Sequence, residues 1–165
     1  MVEAKDKLMN WDQAAERAAA IRSSGGKVVF TNGCFDLVHL GHARYLADAR
    51  RLGDFLMVGL NSDRSVLEIK GPTRPVTPQD QRAEVLAHLA SVDAVVVFDQ
   101  PDPHALISKV QPDILIKGGD WPLDKIIGRD VVEARGGIVK TIPLTPGIST
   151  TDIIRRILNL NTADK

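Results

Sequence analysis

Short β-branched runs alternate with segments of helical period along nearly the whole chain, the pattern of βαβ units feeding a parallel sheet. Five runs are short and mostly apolar, as strands covered on both faces must be: residues 28–31, 55–60, 94–98, 114–116 and 138–141. Between them the spacing predicts helices. Residues 42–52 carry Tyr45, Leu46, Ala49 and Leu52 at helical intervals and stop at Gly53. Thr77-Pro78-Gln79-Asp80 offers an N-cap, a proline at the first helical position and a first-turn acid for a helix reaching about residue 90. Ser149-Thr150-Thr151-Asp152 opens like a capping box ahead of Ile153, Ile154, Ile157 and Leu158. Residues 11–23 set Ala14, Ala15, Ala18 and Ile21 on one face and end at Gly25-Gly26, which predicts an added helix before the first strand. The expected fold class is α/β: a three-layer α/β/α sandwich with a five-stranded parallel sheet in a single domain, residues 1–25 forming a helical extension to residues 26–165. The longest irregular stretch surrounds Lys70-Gly71-Pro72-Thr73-Arg74-Pro75, and such loops in compact α/β domains are often lids.

Composition narrows the class of function. The chain has 165 residues, enough for about one domain of ~150 residues. A 44% hydrophobic and 25% charged content is that of an ordinary globular protein. Lys plus Arg equal Asp plus Glu at 21 each, so there is no basic field for sequence-independent nucleic-acid or anionic-membrane binding. The longest uninterrupted apolar run, residues 94–98, is far short of the ~20 residues of a membrane-spanning helix. The first residues carry charges of both signs and no apolar signal core, and the single cysteine, Cys34, forms no internal disulfide; both features lead us to expect a cytoplasmic protein.

A parallel α/β sheet binds its ligand at the carboxyl ends of the strands. After the first strand comes Asn32-Gly33-Cys34-Phe35-Asp36-Leu37-Val38-His39-Leu40-Gly41-His42. Neither the P-loop nor the dinucleotide glycine fingerprint is present, so any phosphate must be held otherwise. His39 and His42, three apart at a helix start, put both imidazoles on one face beside a positive dipole end, and Gly41 lets a ligand approach the backbone. With four histidines and 13 glycines, roughly 0.007 such His-x-Gly-His strings are expected by chance. Two histidines need a third ligand to hold zinc, and no Cys or acidic cluster sits at ligand spacing; no metal site is expected. Phosphate chemistry is the reading that remains.

Thr31-Asn32-Gly33-Cys34-Phe35-Asp36 followed by His39-Leu40-Gly41-His42 resembles the cytidylyltransferase-type nucleotidyltransferase superfamily, whose signature is the His-x-Gly-His motif. The likeness continues through Leu52-Gly53-Asp54, Asn61-Ser62-Asp63, Arg74-Pro75-Val76, Gln81-Arg82, Lys117-Gly118-Gly119-Asp120 and Gly147-Ile148-Ser149-Thr150-Thr151, across about residues 26 to 158. It implies a Rossmann-like fold. Within the superfamily, these segments most resemble the adenylyltransferases of ADP-heptose synthesis. That resemblance implies transfer of AMP from ATP, with Mg2+, to the sugar 1-phosphate D-glycero-β-D-manno-heptose 1-phosphate, releasing pyrophosphate for the lipopolysaccharide core. It also implies a homodimer. The alternative is a cytidylyltransferase acting on glycerol 3-phosphate or another phosphorylated acceptor. That sister group has an arginine where this chain begins Leu144-Thr145-Pro146-Gly147, which weakens the alternative.

The residues suit this chemistry. A sugar phosphate is already a nucleophile, so the site must align the attack and neutralise charge rather than supply a strong base. His39 and His42 are the candidates for the α-phosphate and bridging oxygens. Lys70 and Arg74 either close on the triphosphate from a lid or belong to a solvated charged loop. Ser149, Thr150 and Thr151 either hold the outer phosphates at a helix start or simply cap the helix. Lys117, Gly118, Gly119 and Asp120 are expected to line the nucleotide pocket, with Trp121 stacking on the base or packing. Arg82 either reaches the site or makes a surface ion pair. Asp36 orients its loop or assists magnesium indirectly, and Cys34 packs.

Overall fold

The apolar runs need both faces covered, which helices packed on either side of a parallel sheet supply for the first four; the fifth is an edge strand with only its last residue buried. In the computed structural model, which describes residues 3–163, they form β1 (Val28–Gly33), β2 (Phe55–Asn61), β3 (Ala94–Phe98), β4 (Ile114–Gly118) and β5 (Ile138–Ile142). All pairings are parallel, in the order β3-β2-β1-β4-β5. Val28 is level with Phe55 on one side of β1, and Val29 with Ile114 on the other.

Two-residue alternation splits the core between the faces. Val28, Phe30, Phe55, Met57 and Leu115 point to one face, where they meet α1 (Trp11–Ser23), α5 (His104–Val110) and α6 (Arg129–Glu133) through Ala14, Ala18, Leu106, Ile107, Val110 and Val132. Val29, Leu56, Val58, Ile114 and Ile116 point to the other, against Leu46 and Ala49 of α2 (Leu40–Arg50) and Ala83 and Leu86 of α4 (Gln79–His88). The result is the expected three-layer sandwich.

The N-terminal segment shares this core. Ala14 and Ala18 are fully buried, their small side chains letting α1 lie close to the sheet. Asn10 and Gln13 close a reciprocal capping box at its start. Met9 N donates to Val95 O at 3.0 Å and Trp11 Nε1 to Val97 O at 3.0 Å, so residues 8–11 cover the outer edge of β3.

Three expectations shift in detail. The helix predicted over 42–52 is α2, two residues earlier, because His39 itself caps it. Pro78 stands at the N-cap of α4 rather than inside its first turn, and Thr77 makes no side-chain cap. Lys70 closes a helix that the pattern left unmarked, α3 (Asp63–Lys70), so the irregular stretch begins at Gly71, whose φ of 92° suits glycine. The last helix, α7 (Thr150–Ala163), starts where its capping signal says. Among the described residues, no helix is long and apolar enough to cross a membrane.

Candidate active site

The carboxyl ends of β1, β2, β3 and β4 open into a cleft of two lobes, ≈ 380 Å³ and ≈ 510 Å³. Asn32 to Phe35, His42, Lys70, Lys117, Trp121 and Thr150 line both and form the partition between them. The smaller lobe also reaches His39, Gly41, Gly118, Asp120, Ile148 and Ser149. The larger also reaches Asp36, Arg74 and Thr151. Three candidates lie outside both walls. Thr31 is fully buried one layer behind, its Oγ1 2.7 Å from Tyr45 Oη. Gly119 borders a shallower hollow beside Pro143 and donates its N–H to Ile142 O at 2.8 Å. Gly147 makes the turn before α7 with φ 77°.

The histidine pair is the floor of the cleft. The two rings stack with centroids 3.9 Å apart and planes at 23°, and Phe35 meets His42 edge-on at 5.3 Å. His39 Nδ1 accepts the Gly41 N–H at 3.1 Å, capping α2. That bond fixes the neutral tautomer, so the proton sits on Nε2 and is available to a ligand. A Cβ on Gly41 would come 2.9 Å from His39 Cε1, so only glycine leaves that ring its place. Burial lowers the pKa of both rings; for His42, burial and then His39 push it down to about 4. Both are therefore neutral donors near pH 7. His42 Nδ1 is buried without a partner, as is Asn32 Oδ1 at the end of β1. Unpaired polar atoms in a cleft wall are what a ligand satisfies.

A strained loop holds this floor. Phe35 and Leu37 flank Asp36 with φ of 44° and 50°, in the left-handed region that non-glycine residues rarely occupy. Asp36 over-determines the conformation. Its fully buried carboxylate accepts from Arg74 Nε at 2.6 Å, Val76 N at 2.9 Å and Thr77 N at 3.0 Å, while its carbonyl accepts from Thr150 Oγ1 at 2.8 Å. Burial opposes its charge, but the two amides and the guanidinium outweigh that and hold the carboxyl below its ordinary range. Asp36 thus orients its loop.

Arg82 does neither thing expected of it. It is 1% exposed and braces the loop from behind, donating to Thr77 O at 2.9 Å, Cys34 O at 2.5 Å and Asp63 Oδ1 at 2.8 Å. Nothing in its helical position marked it as buried. Arg74 is likewise tied down by Asp36. The two lysines are different. Lys70 has no ion-pair partner among the described residues. Lys117 Nζ makes one long bond, 3.3 Å to Asn32 O, and lies 5.3 Å from the Trp121 ring centroid. Burial lowers its pKa to about 8. Burial pushes the Cys34 thiol up despite the cations nearby, which disfavours its thiolate.

Ser149 caps α7: its Oγ accepts from Asp152 N at 3.1 Å and donates to Asp152 Oδ2 at 2.6 Å. Capping and a place in the cleft wall coexist. Residues such as Asn61, Asp102 and Ile127 also line the larger lobe, and the pattern did not single them out as site residues. Asn61, the last residue of β2, lies in the Asn61-Ser62-Asp63 likeness; for Asp102 and Ile127 the one signal is position, after β3 and after β4.

The family model described as Cytidylyltransferase-like matches residues 30–156. The chain is 54% identical over 138 residues to the bifunctional protein HldE of Syntrophotalea carbinolica, an alignment covering 84% of this chain and 28% of that protein. It is 51% identical over 155 residues to the bifunctional protein HldE of Magnetococcus marinus, covering 94% and 32%. The chain therefore spans about a third of the length of these curated relatives. Among solved structures, the lipopolysaccharide core biosynthesis protein from Thermoplasma volcanium GSS1 superposes with a TM-score of 0.60 at 29% identity, covering 73% of this chain and 98% of that one. The stacked histidines at the head of α2, the open ends of a 3-2-1-4-5 parallel sheet and this match lead to one conclusion: the chain belongs to the Cytidylyltransferase-like family of nucleotidyltransferases.

Proposed function

We propose that this chain transfers AMP from ATP to D-glycero-β-D-manno-heptose 1-phosphate, giving ADP-heptose and pyrophosphate. The observation that carries the reading is the neutral, face-to-face His39–His42 pair at the N-terminus of α2, in a cleft also lined by two lysines without carboxylate partners. An acceptor phosphate oxygen attacks the α-phosphorus and pyrophosphate leaves from the opposite side. His39 Nε2–H and the His42 ring donate to oxygens of the α-phosphate and to the bridge, where negative charge grows in the transition state. Their neutrality matters: a neutral imidazole donates a hydrogen bond without giving up its proton. Ser149 and Thr150, at the start of α7, hold the outer phosphates, and Lys70 draws off the leaving pyrophosphate.

The smaller lobe suits the nucleotide. It joins the N-termini of α2 and α7 to the backbone of Gly118, with Ile148, Leu144 and Trp121 as apolar walls for a base. A Cβ at Gly118 would fall 2.7 Å from Asp120 Oδ1 and would push that side chain aside. Among the described residues, no group of three His, Cys, Asp or Glu side chains could hold a metal. Magnesium in this reading arrives with ATP, whose phosphates and waters supply its ligands. The likeness to the HldE proteins and to the lipopolysaccharide core protein supports the sugar acceptor. By the same resemblance we propose a cytoplasmic homodimer, which light scattering of the purified chain checks.

The test is pyrophosphate release with magnesium, crossing ATP and CTP with heptose 1-phosphate and glycerol 3-phosphate. Turnover confined to ATP with the heptose is expected. Turnover with CTP and glycerol 3-phosphate alone would overturn the acceptor and the base together.

A further inference from the structure

The sheet order divides the cleft in a way that assigns its second half. The smaller lobe lies over the ends of β1 and β4 and the residues after β5, taking Gly118, Leu144 and Thr145. The larger lies over β1, β2 and β3, taking Asn61 from the end of β2 and Pro101 to Pro103 from the loop after β3. His39 and Gly41, which head α2, belong only to the smaller lobe. With ATP there, the larger lobe opens on the other side of the partition.

Its walls are graded. Lys70 and Lys117 carry positive charge with no carboxylate partner, Arg74 being neutralised by Asp36, while Asn61 and Asp102 come from the strand ends on the far side of β1. Ile69 and Ile127 supply apolar surface. Lys117 is the informative group: a part-buried ammonium with one long hydrogen bond, the Trp121 ring beside it and no carboxylate within ion-pair distance is short of compensating charge until an anion arrives. Asp102 is the complementary one. Its Oδ1 caps α5 by accepting the His104 N–H at 2.8 Å, and its Oδ2 has no protein donor among the described residues. Asn61 is 4% exposed, and its Nδ2 donates to Ser65 Oγ at 2.9 Å, which fixes the amide. A molecule with one dianionic end and a polyhydroxylated body matches this gradient in one orientation only, because Asp102 repels a phosphate.

We infer that the larger lobe is the sugar-phosphate pocket, with Lys117 holding the acceptor's phosphate and Asp102 and Asn61 reading the hydroxyls of its sugar. This rests on the function proposed above and adds the residues that choose the acceptor. Glycerol 3-phosphate carries fewer hydroxyls than a heptose and loses most of the Asp102 and Asn61 contacts. A built acceptor left without its hydroxyl discriminates strongly, since the site's own polar atoms are then unpaired.

Asp102→Asn keeps an oxygen for the α5 cap and removes the charge. Expected is a tenfold or larger rise in KM for heptose 1-phosphate, with KM for ATP within twofold and an unchanged melting temperature. Ile127→Trp, which fills the lobe without touching the polar groups, is expected to raise the same KM alone. Calorimetric titration of heptose 1-phosphate into the wild-type chain with a non-hydrolysable ATP analogue gives binding without turnover. Weaker binding in both variants supports the pocket even where pyrophosphate release is absent, in which case the proposed activity fails and the pocket stands. Unaltered heptose 1-phosphate binding in both variants, equal changes in both KM values, or no binding to the wild type overturns the assignment.

Discussion

The two arginines and the two lysines around the cleft are treated oppositely by the fold. Arg74 and Arg82 are spent on the protein: one pairs with buried Asp36, the other is itself buried and holds Cys34 O, Thr77 O and Asp63. Lys70 and Lys117 line both lobes with no carboxylate partner. The planar guanidinium, with five fixed donors, is suited to bracing several acceptors at once, whereas the ammonium is a compact point charge on a flexible stem. The contrast separates cations that shape the wall from cations left for a phosphate. It also explains why the loop after β1 tolerates φ of 44° and 50°: both braces close on it.

The largest effect sought is on the floor itself. His42→Ala is expected to lower kcat by roughly 10²–10³-fold, about 3–4 kcal/mol, the scale of losing one preorganised donor to a developing charge. Circular dichroism should show the fold retained. Normal turnover in that variant would remove the histidines from the reaction.

Arg82→Met tests the bracing arm. It removes three hydrogen bonds from a buried position and should cost about 3 kcal/mol of stability. Denaturant unfolding would measure the loss. A stability within error of the wild type would make Arg82 a bystander. Lys117→Met tests the other arm and should move stability the opposite way, because it removes a part-buried ammonium that no carboxylate compensates. We expect a raised melting temperature together with a 10–100-fold loss in kcat/KM for the acceptor, about 1.4–2.8 kcal/mol. Loss of both stability and activity would place Lys117 with the arginines.

The effects of pH probe the same groups without a substitution. Lys117 loses its proton in the free chain at about 8, so kcat/KM for the acceptor should fall above that value, tenfold per unit. The profile should persist in Lys70→Ala and vanish in Lys117→Met. His42 titrates at about 4 folded against 6.5 unfolded, so the unfolded chain takes up the proton first. The stability it contributes is complete above pH 6.5 and is lost as pH falls through about 4, roughly 3 kcal/mol at most. Urea melts at pH 7 and pH 4 in His42→Asn and wild type isolate that difference.

Much of this was legible in the residues. The five runs are the five strands: burial on both faces leaves a contiguous signature in the first four, and β-branched Ile138, Val139 and Thr141 mark the more exposed edge strand β5. The His-x-Gly-His string joins a helix start to two imidazoles that line the cleft. What escaped was set by tertiary partners. Arg82 and Glu84 look alike in a helix pattern, yet Arg82 is buried because Cys34 O, Thr77 O and Asp63 converge on it. Arg74 reads as a free lid cation until Asp36 is seen beneath it. Asn61 and Asp102, 41 residues apart in sequence, share a lobe only because β2 and β3 are neighbours in the sheet.

The central claim is direct attack by the acceptor phosphate on an α-phosphate held by two neutral histidines. Stereochemistry tests it most directly, using ATP made chiral at the α-phosphorus with a single sulfur, and heptose 1-phosphate as acceptor. One in-line displacement predicts inverted configuration in the nucleotide sugar. Retention would mean two displacements through a nucleotidyl-enzyme, and would make one of the histidines a nucleophile instead of a donor.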